Sequence, residues 1–379
     1  MQAIVNGISN LPGILKEVGC GNLFLVIDSS YPFLNIKDTI DALPVREKVV
    51  FSGFTPNPLY EQVCDGIDLL RVSHCDTILA VGGGSAIDVA KCIKLAVLSK
   101  ERYSAIIPPL VSQQLPIDGS RIPFIAVPTT AGTGSESTHN AVMYYEGVKQ
   151  TVTNDGILPD YAILEPSVLK TLPLYQKKCT MMDALCQGIE SWWSVNSTDE
   201  SRSYSRQTIV QIVANWRDYI FENDSNAAAK IMLAANYGGR AINIAQTTAA
   251  HAMSYKITSM YGLPHGHAVA ICLPAIWVFM IRNSDRCVDN RGQEYMARVF
   301  SEIANAMDCE TPLDAIEKFS EMMAEMDLKN PVSTNWAEEL AALSTSVNPV
   351  RLKNNPVKLD EDTIASLYEL IISHPFIAE

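Results

Sequence analysis

Two hydrophobic textures divide the chain. Up to about Leu172, short and nearly continuous apolar runs at residues 23–27, 49–51, 77–81 and 124–127 alternate with helix-length segments at 60–72 and 86–98. Unbroken apolar character is what strands buried on both faces of a parallel sheet require. Strands separated by segments of helical length predict βαβ units. From Leu174 onward the β-branched runs thin out. Helical periodicity then dominates at 181–194, 200–221, 227–255 and 268–282, and in the segments that follow to Glu379. The pattern predicts an α/β domain over residues 1–173 and an all-helical domain over 174–379, with Asn355-Pro356-Val357 as a local break.

Composition narrows the partners. Lys+Arg 29 against Asp+Glu 42 leaves a net charge of −13, which argues against a nucleic-acid or anionic-membrane partner. A small anionic substrate is still compatible, because a few local cations can overrule the global field. Hydrophobic residues at 47% supply ample core. No apolar run approaches the roughly 18 residues that span a bilayer, and the N-terminal residues show no basic-then-apolar secretory pattern. Nine cysteines without CxxC spacing fit reduced thiols better than a disulfide framework. The expectation is a cytoplasmic protein.

The first candidate chemistry follows an apolar run. Gly82-Gly83-Gly84-Ser85 lies between the 77–81 strand and a helix containing Asp88 and Lys91. Glycines allow close backbone approach, and a helix start offers free N–H groups at the positive end of its dipole, a setting for a pyrophosphate. The spacing is neither G-x-G-x-x-G nor a P-loop, and a plain tight turn would look the same. Lys91 could supply a positive charge or lie on a solvated face. A second small-residue loop, Pro128-Thr129-Thr130-Ala131-Gly132-Thr133-Gly134-Ser135-Glu136, follows the next strand. Open parallel sheets bind ligands at such strand ends. Asp28 ends the 23–27 strand. A carboxylate there accepts from an adenosine ribose and repels a 2′-phosphate, which favours NAD(H) over NADP(H).

The second constellation is metal-like. Asp183 and Gln187, four apart in a helical context, share a face. His251 lies among small residues, and His265 sits in the Pro/Gly turn Gly262-Leu263-Pro264-His265-Gly266. Two histidines and a carboxylate are the minimum for a catalytic zinc or ferrous site with open positions. Each histidine alone would more simply be a hydrogen-bonded core residue.

Taken in order along nearly the whole chain, four motifs resemble the iron-containing (group III) alcohol dehydrogenase family. They are Gly82-Gly83-Gly84-Ser85 with Asp88 and Lys91, Pro128–Thr133 with Glu136, Asp183-Ala184-Leu185, and His251 with Gly262–Gly266. The resemblance implies a Rossmann-like α/β N-terminal domain and an all-α C-terminal domain, the dehydroquinate synthase-like architecture, with nicotinamide cofactor and metal in a cleft between them. It implies pyrophosphate binding by Gly83, Gly84 and Ser85, nucleotide contacts from Asp88, Thr129, Thr130 and Thr133, and a lysine near the ribose at Lys149. It also implies metal ligation by Asp183, Gln187, His251 and His265, and a homodimer or larger assembly. Two positions depart from the family pattern: Gln187 replaces a usual histidine ligand, and Tyr255 replaces a histidine near the substrate. A neutral amide is the poorer ligand, so metal affinity should fall.

Residues 172–178, 183–187 with 194–198, and 247–256 further resemble the branch of phosphonoacetaldehyde and sulfoacetaldehyde reductases, in which Gln187 and Tyr255 are at home. Their substrates are two-carbon aldehydes ending in a tetrahedral anion. That resemblance predicts NADH-dependent reduction of such an aldehyde to a primary alcohol. His267, Tyr255 or metal-bound water would deliver the proton, and Thr138, His139, Asn140 and Lys256 are the candidate donors to the anion. A general alcohol or polyol dehydrogenase, a dehydroquinate synthase-like lyase and a catalytically idle assembly subunit are the competing readings.

Overall fold

The computed structural model describes residues 2–98 and 122–372. The chain separates into two compact units. One comprises Met1–Leu172 with Asn223–Gly239, the other Pro173–Glu222 with Arg240–Glu379. The break between residues 172 and 173 lies beside the expected boundary, but 223–239 joins the first unit. Residues 373–379 of the expected C-terminal helical run lie outside the described residues.

The first unit contains β1 (Ala3–Asn6), α1 (Leu11–Glu17), β2 (Asn22–Ile27), α2 (Lys37–Asp41), β3 (Glu47–Phe51), α3 (Tyr60–Ser73), β4 (Thr77–Gly82), α4 (Gly84–Leu98), β5 (Phe124–Pro128), the hairpin strands β6 (Asn140–Tyr145) and β7 (Val148–Thr153), and β8 (Tyr161–Leu164). Six strands form a parallel sheet in the order β1-β8-β5-β4-β2-β3. The apolar runs explain its centre: β4 and β5 are buried throughout, and β2 nearly so. β3 differs from the expectation. It is the sheet edge, and Val50 is exposed. Register matters most for function. Ile27 lies opposite Val81, and Val81 opposite Val127. The carboxyl ends of β2, β4 and β5 therefore finish side by side, where open α/β sheets place their ligands.

The second unit is helical: α5 (Leu174–Trp193), α6 (Asp199–Ile220), the end of α7 (Ser225–Ala245), α8 (Ala249–Tyr261), α9 (His265–Arg282), α10 (Gln293–Ala306), α11 (Pro312–Glu325), α12 (Trp336–Ser344), α13 (Pro349–Leu352) and α14 (Glu361–Ile371). The long helix expected over 227–255 is two helices. Gln246 adopts φ +61°, a left-handed conformation that stops α7, and α8 restarts at Ala249. Helix α9 begins at His265, so the Pro/Gly segment expected as a turn around both His265 and His267 instead opens a helix. By length and composition alone α9 is apolar enough to cross a bilayer. It is mostly buried and packs against α5 and α8 at the centre of the unit. Trp193 of α5 meets Trp277 of α9 edge-on at 5.4 Å and Phe300 of α10 at 6.1 Å.

Candidate active site

The glycine loop is built by close approach. A Cβ on Gly82 would lie 2.5 Å from Asp28 Oδ2, and one on Gly84 would lie 2.9 Å from Thr133. Small residues there let the ends of β2, β4 and β5 converge. Asp28 ties them together: its Oδ2 accepts from Gly83 N at 2.8 Å, and its Oδ1 accepts from Ser30 N and Oγ. Thr129 N donates to Gly82 O at 3.0 Å, and Asn57 N reaches Ser85 Oγ at 3.4 Å. Thr130 borders Gly83, as Thr133 borders Gly84. Helix α4 has no acidic residue in its first turn to neutralise its N-terminus, which keeps that end attractive to an anion.

Behind this loop lies a closed polar cluster. Lys91 is fully buried, neither solvated nor facing outward, and its Nζ donates to Ser135 Oγ and Thr138 Oγ1 at 2.9 Å and to the Asn140 carbonyl at 2.6 Å. Asp88 accepts from Ser135 Oγ at 2.6 Å and Val142 N at 3.0 Å, and lies 4.0 Å from Lys91 Nζ. Burial pulls the Lys91 ammonium down to about 8 against the opposing pull of Asp88 and Glu136. Burial likewise pushes the Asp88 carboxyl up, with Lys91 the strongest opposing influence and Lys149, on β7, a smaller one. Asp88 thus faces the interior of its unit. The expected anion donors are also engaged there. Thr138 holds Lys91, His139 Nδ1 meets Asp155 Oδ1 at 2.9 Å, and Asn140 Oδ1 accepts from Thr153 Oγ1 at 2.7 Å. Nothing in these bonds marks Asn140 as a catalytic group.

The helical unit assembles the metal constellation. Helix α5 presents Asp183, Gln187 and Glu190 on one buried face. Helix α8 ends at Gly262, with φ +67°, and Pro264 leads directly into α9. A Cβ on Gly266 would lie 2.0 Å from the Cys179 carbonyl, so this glycine lets α9 close on α5. The result sets His251 and His265 with ring centroids 5.4 Å apart. Asp183 Oδ1 lies 3.5 Å from His251 Nε2 and 3.9 Å from His265 Nε2, and the ligand atoms of all three residues fall within 4.8 Å of one another. Ligands about 2.0–2.2 Å from one tetrahedral ion stand roughly 3.5 Å apart, so little adjustment would seat a divalent cation.

Gln187 Nε2 donates to Asp183 Oδ2 at 3.2 Å. Three buried atoms, Asp183 Oδ1, Gln187 Oε1 and His251 Nε2, carry no hydrogen bond, although each residue is bonded through its other polar atom. A donor set of imidazole nitrogens, a carboxylate oxygen and an amide oxygen fits zinc or ferrous iron.

Glu190, unremarked in the sequence, organises this cluster. It is fully buried, and its Oε1 accepts from Thr248 N at 3.1 Å, Thr248 Oγ1 at 2.8 Å and Ala250 N at 2.9 Å, closing the N-terminus of α8. Its Oε2 makes a very short contact to His251 Nδ1, which turns Nε2 towards Asp183. Burial lowers the His251 imidazole, but Glu190 and Asp183 outweigh it and raise it to about 10. A cation at Nε2 would replace that proton. The sequence did hold a signal, since Glu190 follows Asp183 by seven residues and Gln187 by three on the same helix.

Two expected proton donors part company. His267 is buried, with Nδ1 bonded to Tyr175 Oη at 2.8 Å and Nε2 to the Lys329 carbonyl at 3.0 Å. A donor at Nε2 and an acceptor at Nδ1 describe a neutral imidazole, and burial lowers its basicity further. Both nitrogens of His267, one of the three candidate proton sources, are engaged here, and the residue links α5, α9 and the segment after α11. Tyr255 stays at the cluster, its ring nearly parallel to that of His265 at 5.6 Å. Its Oη accepts from Arg351 at 3.0 Å. Lys256, the next residue, is half-buried. Arg351 carried no signal in the sequence.

A family model described as iron-containing alcohol dehydrogenase matches residues 4–166, and one for the C-terminal part of the same family matches 178–372. The chain belongs to the iron-containing alcohol dehydrogenase family. It is an oxidoreductase of that family. It is 30% identical over 310 residues to phosphonoacetaldehyde reductase of Streptomyces viridochromogenes, covering 79% of this chain and 76% of that one. It is also 30% identical over 319 residues to the probable alcohol dehydrogenase EutG of Escherichia coli, covering 82% and 76%. A crystal structure of sulfoacetaldehyde reductase from Bifidobacterium kashiwanohense, in complex with NAD+, superposes with a TM-score of 0.85 at 25% identity, covering 98% of this chain and 96% of that one. These matches support the architecture expected from the sequence, a parallel-sheet domain followed by a helical one.

Proposed function

We propose that this protein is an NADH-dependent reductase of a small anionic aldehyde, converting sulfoacetaldehyde or phosphonoacetaldehyde into the corresponding primary alcohol. The observation that carries this reading is the Asp183–His251–His265 cluster, ringed by Gln187, Glu190 and Tyr255. Similarity to two reductases of such aldehydes supports the substrate class. Asp183, His251 and His265 would hold a divalent zinc or iron ion, with the Gln187 amide oxygen as the weak fourth ligand. That ion supplies Lewis acidity towards an aldehyde oxygen.

The chain's own residues do the rest. Gly84, Ser85 and the start of α4 bind the pyrophosphate through backbone N–H groups, Gly83 lets it approach while its own N–H is held by Asp28, and Thr129, Thr130 and Thr133 flank it. Asp28 faces the adenosine ribose and selects NAD(H) over NADP(H). Lys149 would lie near the cofactor ribose. Glu190 holds the His251 ring in one tautomer and orientation. Tyr255 delivers the proton: its Oη accepts from Arg351, so its own hydroxyl hydrogen is directed elsewhere. In balance, hydride from NADH adds to the carbonyl carbon and one proton adds to its oxygen, yielding alcohol and NAD+.

The test is an NADH-oxidation panel of sulfoacetaldehyde, phosphonoacetaldehyde, succinic semialdehyde and propionaldehyde, with metal content measured on the same sample. The reading expects bound zinc or iron and kcat/KM at least tenfold higher for one two-carbon anionic aldehyde than for propionaldehyde. Equal or better use of propionaldehyde would return the protein to a general alcohol dehydrogenase.

A further inference from the structure

Thr248 occupies the N-cap position of α8, yet its side chain does not cap that helix. A threonine there ordinarily accepts from the second or third helical N–H. Here Glu190, reaching across from α5, accepts from both, Ala250 N at 2.9 Å and His251 N at 3.4 Å. A carboxylate also suits the positive end of the α8 dipole. The threonine hydroxyl makes other bonds instead. Its Oγ1 accepts from Trp193 Nε1 at 2.8 Å and donates to Glu190 Oε1 at 2.8 Å.

Donor chemistry fixes the direction of these bonds. An indole N–H can only donate, and a hydroxyl carries a single hydrogen. With Trp193 donating to Thr248 Oγ1, the hydroxyl hydrogen is turned to Glu190 Oε1. Four donors converge on that oxygen: the Thr248 hydroxyl and the backbone N–H groups of Thr248, Ala250 and His251. Oε1 is held as an acceptor, which sets the plane of the carboxylate. Oε2 then takes the hydrogen of His251 Nδ1, and His251 Nε2 faces Asp183 Oδ1 at 3.5 Å. The start of this chain is rigid. Trp193, Thr248 and Glu190 are all buried, and Trp193 is held edge-on by Trp277 and Phe300. Its neighbour Ser194 donates through Oγ to the Ala245 carbonyl at 2.6 Å, which ties the end of α5 to the end of α7 just before Thr248.

We propose that Thr248, held by Trp193, is a positioning residue for the metal site: it sets the Glu190 carboxylate so that His251 presents Nε2 to the ion. The assignment rests on the reading above that Asp183, His251 and His265 hold a divalent ion, and deepens it. The partner behind a metal-ligating histidine fixes its ring orientation and its tautomer. In this chain that support extends two residues further, from the carboxylate to a hydroxyl and from the hydroxyl to an indole.

The test titrates zinc, and separately ferrous iron, into the metal-stripped full chain against a chromogenic chelator. Wild type is compared with Thr248→Ser, Thr248→Val and Trp193→Phe, and urea unfolding gives the folded fraction of each. Thr248→Val keeps the shape and the backbone N–H but loses the hydroxyl, and metal affinity should fall about tenfold. Trp193→Phe leaves the hydroxyl hydrogen undirected and should lose a smaller share. Thr248→Ser should bind metal as wild type does. Added to Glu190→Gln, Thr248→Val should cost little more, because both act through one carboxylate. Wild-type affinity in Thr248→Val, or in Trp193→Phe where the valine variant does not fold, overturns the assignment. So does a Thr248→Ser as weak as Thr248→Val, or a full tenfold loss on top of Glu190→Gln, either of which would leave Thr248 a packing role alone. A wild type that binds neither zinc nor ferrous iron overturns the metal reading and the assignment together.

Discussion

Two buried polar clusters, one in each unit, teach by their difference. Around Lys91, donors and acceptors match: the ammonium meets two hydroxyls and a carbonyl, and Asp88 meets a hydroxyl and a backbone N–H. Around Asp183 they do not, with a carboxylate and two imidazoles converging and Asp183 Oδ1, Gln187 Oε1 and His251 Nε2 buried without a hydrogen bond. Buried polar atoms that satisfy one another hold structure, whereas buried carboxylate and imidazole atoms brought together at ligand spacing suit a cation in place of a proton. The first cluster holds the 135–142 segment against α4; the second is where chemistry is expected.

The largest effect should come from emptying the open cluster. His265→Ala removes one ligand of three strong ones, from a side chain that is about a third exposed, so folding should survive. Bound zinc or iron should disappear, and turnover should fall by roughly 1000-fold or more, the scale lost when Lewis-acid stabilisation of a developing alkoxide is withdrawn. NADH affinity, which we assign to loops of the other unit, should persist. Full turnover in a metal-free preparation would break the comparison.

The mirror experiment strikes the closed cluster. Lys91→Met leaves the partly buried Asp88 carboxylate without its cation, which costs about 3 kcal/mol of stability. Denaturant unfolding should register that loss and NADH binding should weaken, while metal content per folded molecule stays at the wild-type value. Metal loss in this variant would mean that the two clusters are not separable.

Glu190→Gln sharpens what the open cluster needs beyond its ligands. The shape is kept, but the charge facing His251 Nδ1 is lost. Removing such a carboxylate partner typically costs about 10- to 100-fold in metal affinity. Competition with a chelator measures it, and an unchanged affinity would reduce Glu190 to a helix cap.

Asp28→Gly probes the nucleotide side with a smaller effect. Without the carboxylate that accepts from Gly83 N, NADPH should gain on NADH by about tenfold in kcat/KM, a difference near 1.4 kcal/mol. An unchanged ratio would leave Asp28 only the task of joining β2 to the glycine loop.

What the sequence revealed depended on whether backbone or partner made the signal. The buried strands, the glycine loop and the Asp183/His251/His265 spacing were legible because periodicity and close approach leave marks in residue type. The break at Gln246 was not, since no glycine or proline stands there and a glutamine took the left-handed conformation under tertiary packing. The partners of His267 were hidden for a related reason: a histidine beside a ligand motif does not disclose that Tyr175 and the Lys329 carbonyl meet its two nitrogens. Lys91 looked equally free to be solvated. Arg351 meets Tyr255 across 96 residues, a separation that no local pattern encodes.

The effect hardest to isolate is a pH dependence of the closed cluster. Lys91 keeps its proton in the unfolded chain to about pH 10.5, but in the folded protein only to about 8, because burial outweighs the attraction of Asp88 and Glu136. Between those values the unfolded state binds more protons, so folding stability gained through Lys91 rises with pH. The slope is at most about 1.4 kcal/mol per pH unit, and other titrating groups lie beneath it. The informative quantity is therefore the difference between wild type and Lys91→Met, measured by urea unfolding at pH 7, 8, 9 and 10. Wild type should gain stability relative to the variant above pH 8 and show no relative change below it. A flat difference would mean that the hydrogen bonds to Ser135, Thr138 and the Asn140 carbonyl hold the ammonium charged across the whole range, closing the cluster more tightly than burial opens it.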